Sequence, residues 1–416
     1  MNTLLASLLA TRLSEGRGET DRLFNILKPE VLYHRPIAER HRIVFYLGHL
    51  EAFDWNLLRS HLQLDRFHPE FDQLFAFGID PVDGALPSDQ PADWPTLNQI
   101  DTYRKRIRHE LDSALADVDE TEELVQLLNI AIEHRLMHAE TLEYMFHQLP
   151  FDAKTGPHLP TIPAATTVQE MAAIPAGTVT LGLRRNSSEF GWDNEFEAFS
   201  ADVPAFLIDK HKVTNGQFAE FVRAGGYQSE QFWSPEDWAW RLKGNITNPA
   251  FWIAKGDVFQ YRSMFEALPL PLDSPVYVSH AEASAYAHWL GKALPTEAEW
   301  QRAAEGAQPP GESRVLWDAP PVGSNTASAS VFGLEDLYGS AWEWTSSEFS
   351  PFPGFRAHPA YPGYSANFFD GKHFVMKGGS TRTATCMLRS TFRNWFQAHY
   401  QYVYAGFRCV SHQGIK

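Results

Sequence analysis

Cysteine is scarce in this chain: Cys386 and Cys409 are the two present in 416 residues. A disulfide framework is therefore excluded, and a reducing cytoplasm is the simplest setting. No apolar run reaches the length of a membrane span. The short apolar start, Met1 to Ala10, lacks a basic segment ahead of it and runs on into a polar helix, so it reads as mature protein rather than a signal peptide. A surplus of basic charge is also missing. With 35 basic and 51 acidic residues the formal net charge is −16, which argues against nucleic acid or an anionic membrane as partner. Internal repeats and low-complexity tracts are absent. Histidine and tryptophan, in contrast, are plentiful, at 17 and 13 residues. Tryptophan in such number builds aromatic cores or pockets for flat or cationic ligands.

The run Thr121 to Gln148 carries Leu124, Leu127, Leu128, Ala131, Met137, Leu142 and Met145 with no internal proline, a spacing that predicts an amphipathic helix. His134 and His138 are one turn apart on it and project from the same face. Such a pair can chelate a metal ion; the alternative is ordinary polar surface. Glu140 lies more to the side and supports a ligand rather than being one. A third ligand must come from elsewhere, and His49 is the candidate.

Up to about Pro150 the chain reads as helices: residues 2–26, 37–62, 96–116 and 121–148. Four long helices with apolar stripes predict a four-helix bundle, which builds metal sites from inward-facing side chains. His41 falls roughly on the face of His49 and ranks below it, and His147 reads as a capping or surface residue. Three neutral imidazoles with open positions suit Fe(II), Zn(II) or Cu(II). Residues 151–170, rich in proline, form a linker. Residues 171–416 show short strands and frequent turns, a loop-rich α+β domain.

Five segments of that second domain occur in a telling order: Asp209-Lys210-His211-Lys212-Val213-Thr214-Asn215, Leu294-Pro295-Thr296-Glu297-Ala298-Glu299-Trp300, Gly339-Ser340-Ala341-Trp342-Glu343-Trp344, Lys377-Gly378-Gly379-Ser380 and Gly406-Phe407-Arg408-Cys409. They resemble the formylglycine-generating enzymes and their relatives, a fold related to C-type lectins. Cys386 and Cys409 do not fall where those enzymes carry their copper-binding pair, so formylglycine generation is not expected. The fusion of a bundle of the DinB-like type to this domain resembles the ergothioneine-type sulfoxide synthases. The resemblance implies a non-haem Fe(II) centre held by His49, His134 and His138, with dioxygen and hercynine (a trimethylated histidine) as substrates. It implies that Asn394 and Trp395, in Phe392-Arg393-Asn394-Trp395, hold hercynine. It places Tyr361 and Tyr364 as candidates for the proton donor.

Three departures from that family bear on the donor. Phe396 stands where actinobacterial members have an acid, Met137 stands where members have a glutamine touching the substrate, and Gly78 to Pro95 contains no Arg or Lys to clamp donor carboxylates. An acidic loop repels a dianionic dipeptide. The pattern resembles the selenoneine synthase branch, in which a seleno-sugar replaces the thiol; Phe396, Trp94 or Tyr400 then offer rings for the sugar. The alternative within the family is cysteine or γ-glutamylcysteine as donor. Outside it stand a zinc-dependent thiol transferase or hydrolase and a non-enzymatic binding module.

Overall fold

The computed structural model describes residues 3–78, 86–156, 169–256, 258–311, 316–324, 326 and 329–412. The chain divides into two compact units, Met1–Pro157 and His158–Lys416. Among the described residues no helix is long and apolar enough to cross a membrane.

The first unit contains α1 (Thr3–Asn25), α2 (Ile43–Leu58), α3 (Pro69–Phe77), α4 (Leu97–Ala116) and α5 (Glu122–His147). Start signals account for several ends. Thr96 and Gln99 form a capping box at α4, and the Thr121 side chain accepts the Leu124 N–H at α5, satisfying backbone donors that a helix start leaves open. Helix α2 begins at Ile43, later than its apolar pattern suggests, because Arg42 is held in an extended conformation. Helix α3 was not anticipated. It starts at Pro69 with the His68 ring accepting the Phe71 N–H, a placement that suits proline in the first turn.

Apolar side chains fill the interior, among them Leu9, Leu13, Val44, Leu50, Trp55, Ile107, Leu128 and Phe146. A set of charges is buried with them. Arg135 donates to Glu51 and, at 2.6 Å, to Asp54. Arg108 joins Glu51 to Asp21, and Arg17 reaches Asp112. Each helix of the set α1, α2, α4 and α5 contributes a charge, so directed bonds fix the register between helices.

The second unit is built from small sheets. Strand β1 (Met171–Ile174) pairs with β4 (Phe206–Asp209), which also pairs with β12 (Val410–Ser411). Strands β2 (Gly177–Leu181) and β3 (Phe199–Val203) form a ribbon, and β5 (Trp252–Lys255), β6 (Val258–Arg262) and β7 (Ala267–Pro269) form a three-stranded sheet. The largest sheet has the order β10 (Asn394–Gln397), β9 (His373–Lys377), β8 (Trp342–Glu348), β11 (Ala405–Gly406). Helices α6 (Asn215–Arg223), α7 (Pro235–Lys243), α8 (His280–Trp289) and α9 (Glu297–Ala303) intervene.

The five sequence segments meet in this unit's interior. Lys212 and Arg408 bond Glu343 at 2.9 and 3.0 Å, and the Trp300 indole N–H donates to the same carboxylate at 3.0 Å. Burial alone would raise the Glu343 pKa, but the two cations hold it below the usual range. Lys377, from the Gly-Gly segment, stands 3.7 Å from Glu297. The next residue, Gly378, has φ +92°, and a Cβ there would meet the Leu337 carbonyl at 2.4 Å, so this turn requires glycine. Cys409 is fully buried, with its N–H donated to Asp209 at 3.0 Å.

Candidate metal centre

His49 projects from α2, and His134 and His138 from successive turns of α5. Ligand nitrogens of the three lie within 4.8 Å of one another. The Nε2 atoms of His49 and His138 are 3.2 Å apart. His49 Nδ1–H donates to the Phe75 carbonyl at 2.7 Å, which leaves its Nε2 lone pair directed at the other two rings. Phe45 stacks on His49 at 4.7 Å, and Phe53 lies flat on His134 at 3.4 Å between centroids. The His49 ring is thus fixed in orientation by Phe45 and by its bond to Phe75, and the His134 ring by Phe53.

All three imidazoles are held neutral. Burial pulls His49 down to about 4, and burial together with the neighbouring imidazoles pulls His134 and His138 well below the ordinary value. Neutral imidazole is the form that ligates a divalent cation. The Nδ1 of His138 is buried with no hydrogen-bond partner among the described residues. A convergent, uncharged and incompletely bonded nitrogen set of this kind fits a divalent metal, and Fe(II) is among those it suits.

Gly48 makes the His49 bond possible. A Cβ at Gly48 would lie 2.3 Å from the Phe75 ring, so the missing side chain lets α3 bring Phe75 onto α2. Gly48→Ala is expected to cost about 1–3 kcal/mol through overpacking. It should also weaken metal binding about tenfold as the Phe75 carbonyl withdraws from His49. Chemical denaturation and metal titration of the variant check both numbers; unchanged metal affinity would separate Phe75 from the site.

The neutral triad also predicts acid sensitivity. Each folded pKa is below the unfolded value of 6.5, so the unfolded chain binds more protons below that pH. The stabilisation is present above pH 6.5 and lost as pH falls. From pH 7 to pH 5.5 the metal-free protein is expected to lose about 1 kcal/mol through His49, with His134 and His138 acting in the same direction. Urea denaturation in the presence of a chelator measures this, and His134→Phe should reduce the pH slope.

Other expected residues fall differently. His41 lies tilted against Phe45, 4.2 Å between ring centroids, and is not one of the clustered ligands. Glu140 is buried on α5, and Met137 is partly buried beside His138. His147 is not a surface residue: it is fully buried, because Lys154 folds back to donate to the carbonyls of Phe146 and His147 and covers the helix end. Trp94 is also no open platform. It is buried, donates to Asp89 at 2.7 Å and packs on Phe45 and Phe75. Positions 79–85 of the Arg-free loop lie outside the described residues. Its Asp89 is not a bare acid, since Arg35 and Arg42 both bond it.

In the second unit, Trp395 stacks on Phe349 at 4.1 Å, with Tyr364 edge-on at 5.2 Å and Phe368 at 5.6 Å. Tyr361 is 5.6 Å from Tyr364, and burial raises its pKa. Asn394 Oδ1 accepts the Trp395 N–H at 2.9 Å. Strand alternation puts Asn394 and Phe396 on one face of β10 and Trp395 on the other. Phe396 stacks on Tyr400 at 5.0 Å. The supporting residues Phe45, Phe53, Phe75, Glu51, Asp54 and Arg135 were not anticipated as parts of a site. One signal was available: Glu51, Asp54 and Arg135 are charges set among apolar residues immediately beside the histidines.

The family model of the sulfatase-modifying factor enzyme 1-like domain matches residues 158–413, and the chain belongs to that family. Among curated proteins, the hercynine oxygenase of Mycobacterium tuberculosis is 37% identical over 249 residues, covering 55% of this chain and 57% of that protein. The hercynine oxygenase of Mycolicibacterium smegmatis is 35% identical over 258 residues, covering 56% and 59%. Ergothioneine biosynthesis protein 1 of Neurospora crassa is 27% identical over 493 residues, covering 92% of this chain and 55% of that protein. The chain thus spans little more than half the length of these relatives.

Proposed function

We propose that this chain is a non-haem iron enzyme that joins a chalcogen to C2 of the hercynine imidazole, with a seleno-sugar as the donor: a selenoneine synthase. The observation that carries the metal part is the gathering of His49, His134 and His138 as neutral imidazoles whose ligand nitrogens converge. The names of the matched relatives support hercynine as the acceptor. The Arg-free loop and Phe396 favour a donor without carboxylates.

His49, His134 and His138 would hold Fe(II), which supplies dioxygen activation when bound. The chain's own groups do the rest. Trp395, Tyr364 and Phe368 offer aromatic faces to the trimethylammonium of hercynine. With Oδ1 engaged, Asn394, the first residue of β10, presents its amide N–H groups to a carboxylate on the face opposite Trp395. Tyr361, its pKa raised by burial, stays protonated at neutral pH and serves as proton donor, with Tyr364 the second candidate. A chalcogen-oxide product balances the reaction: the imidazole C–H and the chalcogenol hydrogen end in water with one oxygen atom, and the other oxygen ends on the chalcogen. A chain with two cysteines, Cys386 and Cys409, suits a cytoplasmic enzyme.

The second reading, a thiol donor and ergothioneine-type sulfoxide synthesis, is favoured by the relatives' names. One competition assay decides. The chain is loaded anaerobically with Fe(II), given hercynine together with a 1-seleno-sugar, cysteine and γ-glutamylcysteine, and exposed to oxygen, with mass spectrometry of the products. The selenium adduct is the expected result. A sulfoxide from either thiol transfers the protein to the second reading, and hercynine left unconsumed defeats both.

A further inference from the structure

The segment Trp192-Asp193-Asn194-Glu195 belongs to none of the five family segments, yet all four side chains are buried. Its last three residues form a single 3-10 turn. On one side it grips the loop that carries the two tyrosines. Trp192 stacks on Tyr364 at 3.9 Å between centroids. The Ser365 hydroxyl donates to Asp193 Oδ1, and the His358 N–H donates to Asp193 Oδ2 at 3.3 Å. Asn194 Nδ2 donates to Ser365 Oγ at 3.0 Å.

On its other side the same turn grips the chain that leads into β10. Glu195 accepts from Arg389 at 2.6 and 2.9 Å and from the Thr391 hydroxyl at 2.6 Å. The Asn194 carbonyl accepts from Arg393 at 3.1 Å, and Trp395 lies two residues further on. Two buried carboxylates are costly unless fully bonded, and here their bonds run to different segments. A packing role alone would be met by apolar side chains. Charged groups with directed bonds on both sides instead fix one segment against the other.

We infer that Trp192–Glu195 is a positioning clasp: Asp193 sets the tyrosine loop and Glu195 sets the Trp395 strand, so that the proton donor and the hercynine-binding face keep a fixed spacing. This rests on the roles given above to Tyr361, Tyr364 and Trp395. Neither carboxylate touches substrate; each acts through the group it holds.

The test uses the full chain loaded with Fe(II), and the variants Asp193→Asn, Glu195→Gln and Ser365→Ala. Hercynine turnover and amide hydrogen exchange are measured on each. Asp193→Asn should lower kcat about tenfold or more with a smaller rise in the hercynine KM, since Tyr364 on the same loop also faces the ligand, and Glu195→Gln should raise that KM about tenfold with kcat little changed. Exchange should rise in residues 356–366 for the first variant and in residues 389–397 for the second. Loss of kcat and KM together in both variants, or exchange unchanged in those segments, overturns the clasp. If an acid variant does not fold, Ser365→Ala decides, because it removes a single hydroxyl: faster exchange confined to 356–366 supports the clasp and unchanged exchange overturns it. A wild-type chain that consumes no hercynine defeats the functional reading, while the exchange pattern still judges the clasp.

Discussion

His138→Ala is expected to abolish stable metal binding and to reduce hercynine turnover below detection. The Nε2 of His138 faces that of His49 at 3.2 Å, and His134 is one turn away on the same face of α5. Removing His138 leaves two nitrogens on different helices, so the chelate between adjacent turns of α5 is lost. Loss of a group that merely supports a ligand weakens metal binding by about 10–100-fold, and loss of a ligand exceeds that. The variant should nevertheless fold. His138 is the least buried of the three, and deleting an imidazole held neutral removes part of the acid sensitivity described above. Metal content after dialysis and product yield at saturating Fe(II) are the two readouts. Wild-type metal content in His138→Ala would remove this residue from the centre.

Arg135→Met is expected to be the most destabilising single change near the site. The Arg135 guanidinium is fully buried and bonds Glu51 Oε2 at 3.1 Å, Asp54 Oδ2 at 2.6 Å and the Leu50 carbonyl at 2.9 Å. Burial pushes the Asp54 carboxyl above the usual range even with Arg135 present, whereas at Glu51 the surrounding arginines overcome burial and hold the carboxyl well down. Taking away the cation strands both carboxylates in the interior. Breaking a buried pair in this way costs about 3–5 kcal/mol, which lowers the melting temperature of a unit this size by roughly 6–20 °C. The carboxylates should partly compensate by taking up protons, so Asp54→Asn added to Arg135→Met should recover part of the loss. If Arg135→Met melts within a degree or two of the wild type, the charge network does not hold the helices in place.

Arg135 also shows where the sequence stops being informative. Its neighbour His134 was legible, because two histidines one turn apart on an apolar-periodic helix share a face whatever the fold. His49 followed from bundle logic, which requires a ligand on a second helix. Periodicity cannot reveal that Glu51, Asp54 and Arg135 neutralise one another across helices, since each charge alone looks like solvated surface. Helix α3 was missed for a related reason: nine residues are too few for a periodic signal, and Phe75 is placed by the space beside Gly48. In the second unit, Lys212, Trp300, Glu343 and Arg408 were visible as parts of motifs. Their convergence on one carboxylate depends on contacts distant in sequence, which spacing does not encode. The same holds for Trp192–Glu195, whose partners lie far along the chain.

Anaerobic titration with Fe(II), followed by X-ray absorption at the iron edge, tests whether His49, His134 and His138 hold iron. One iron per chain is expected, with a histidine scattering pattern from three imidazoles that is reduced on His138→Ala and perturbed by adding hercynine. Iron that is not retained, or that is retained equally after His49→Ala and His138→Ala, would contradict it.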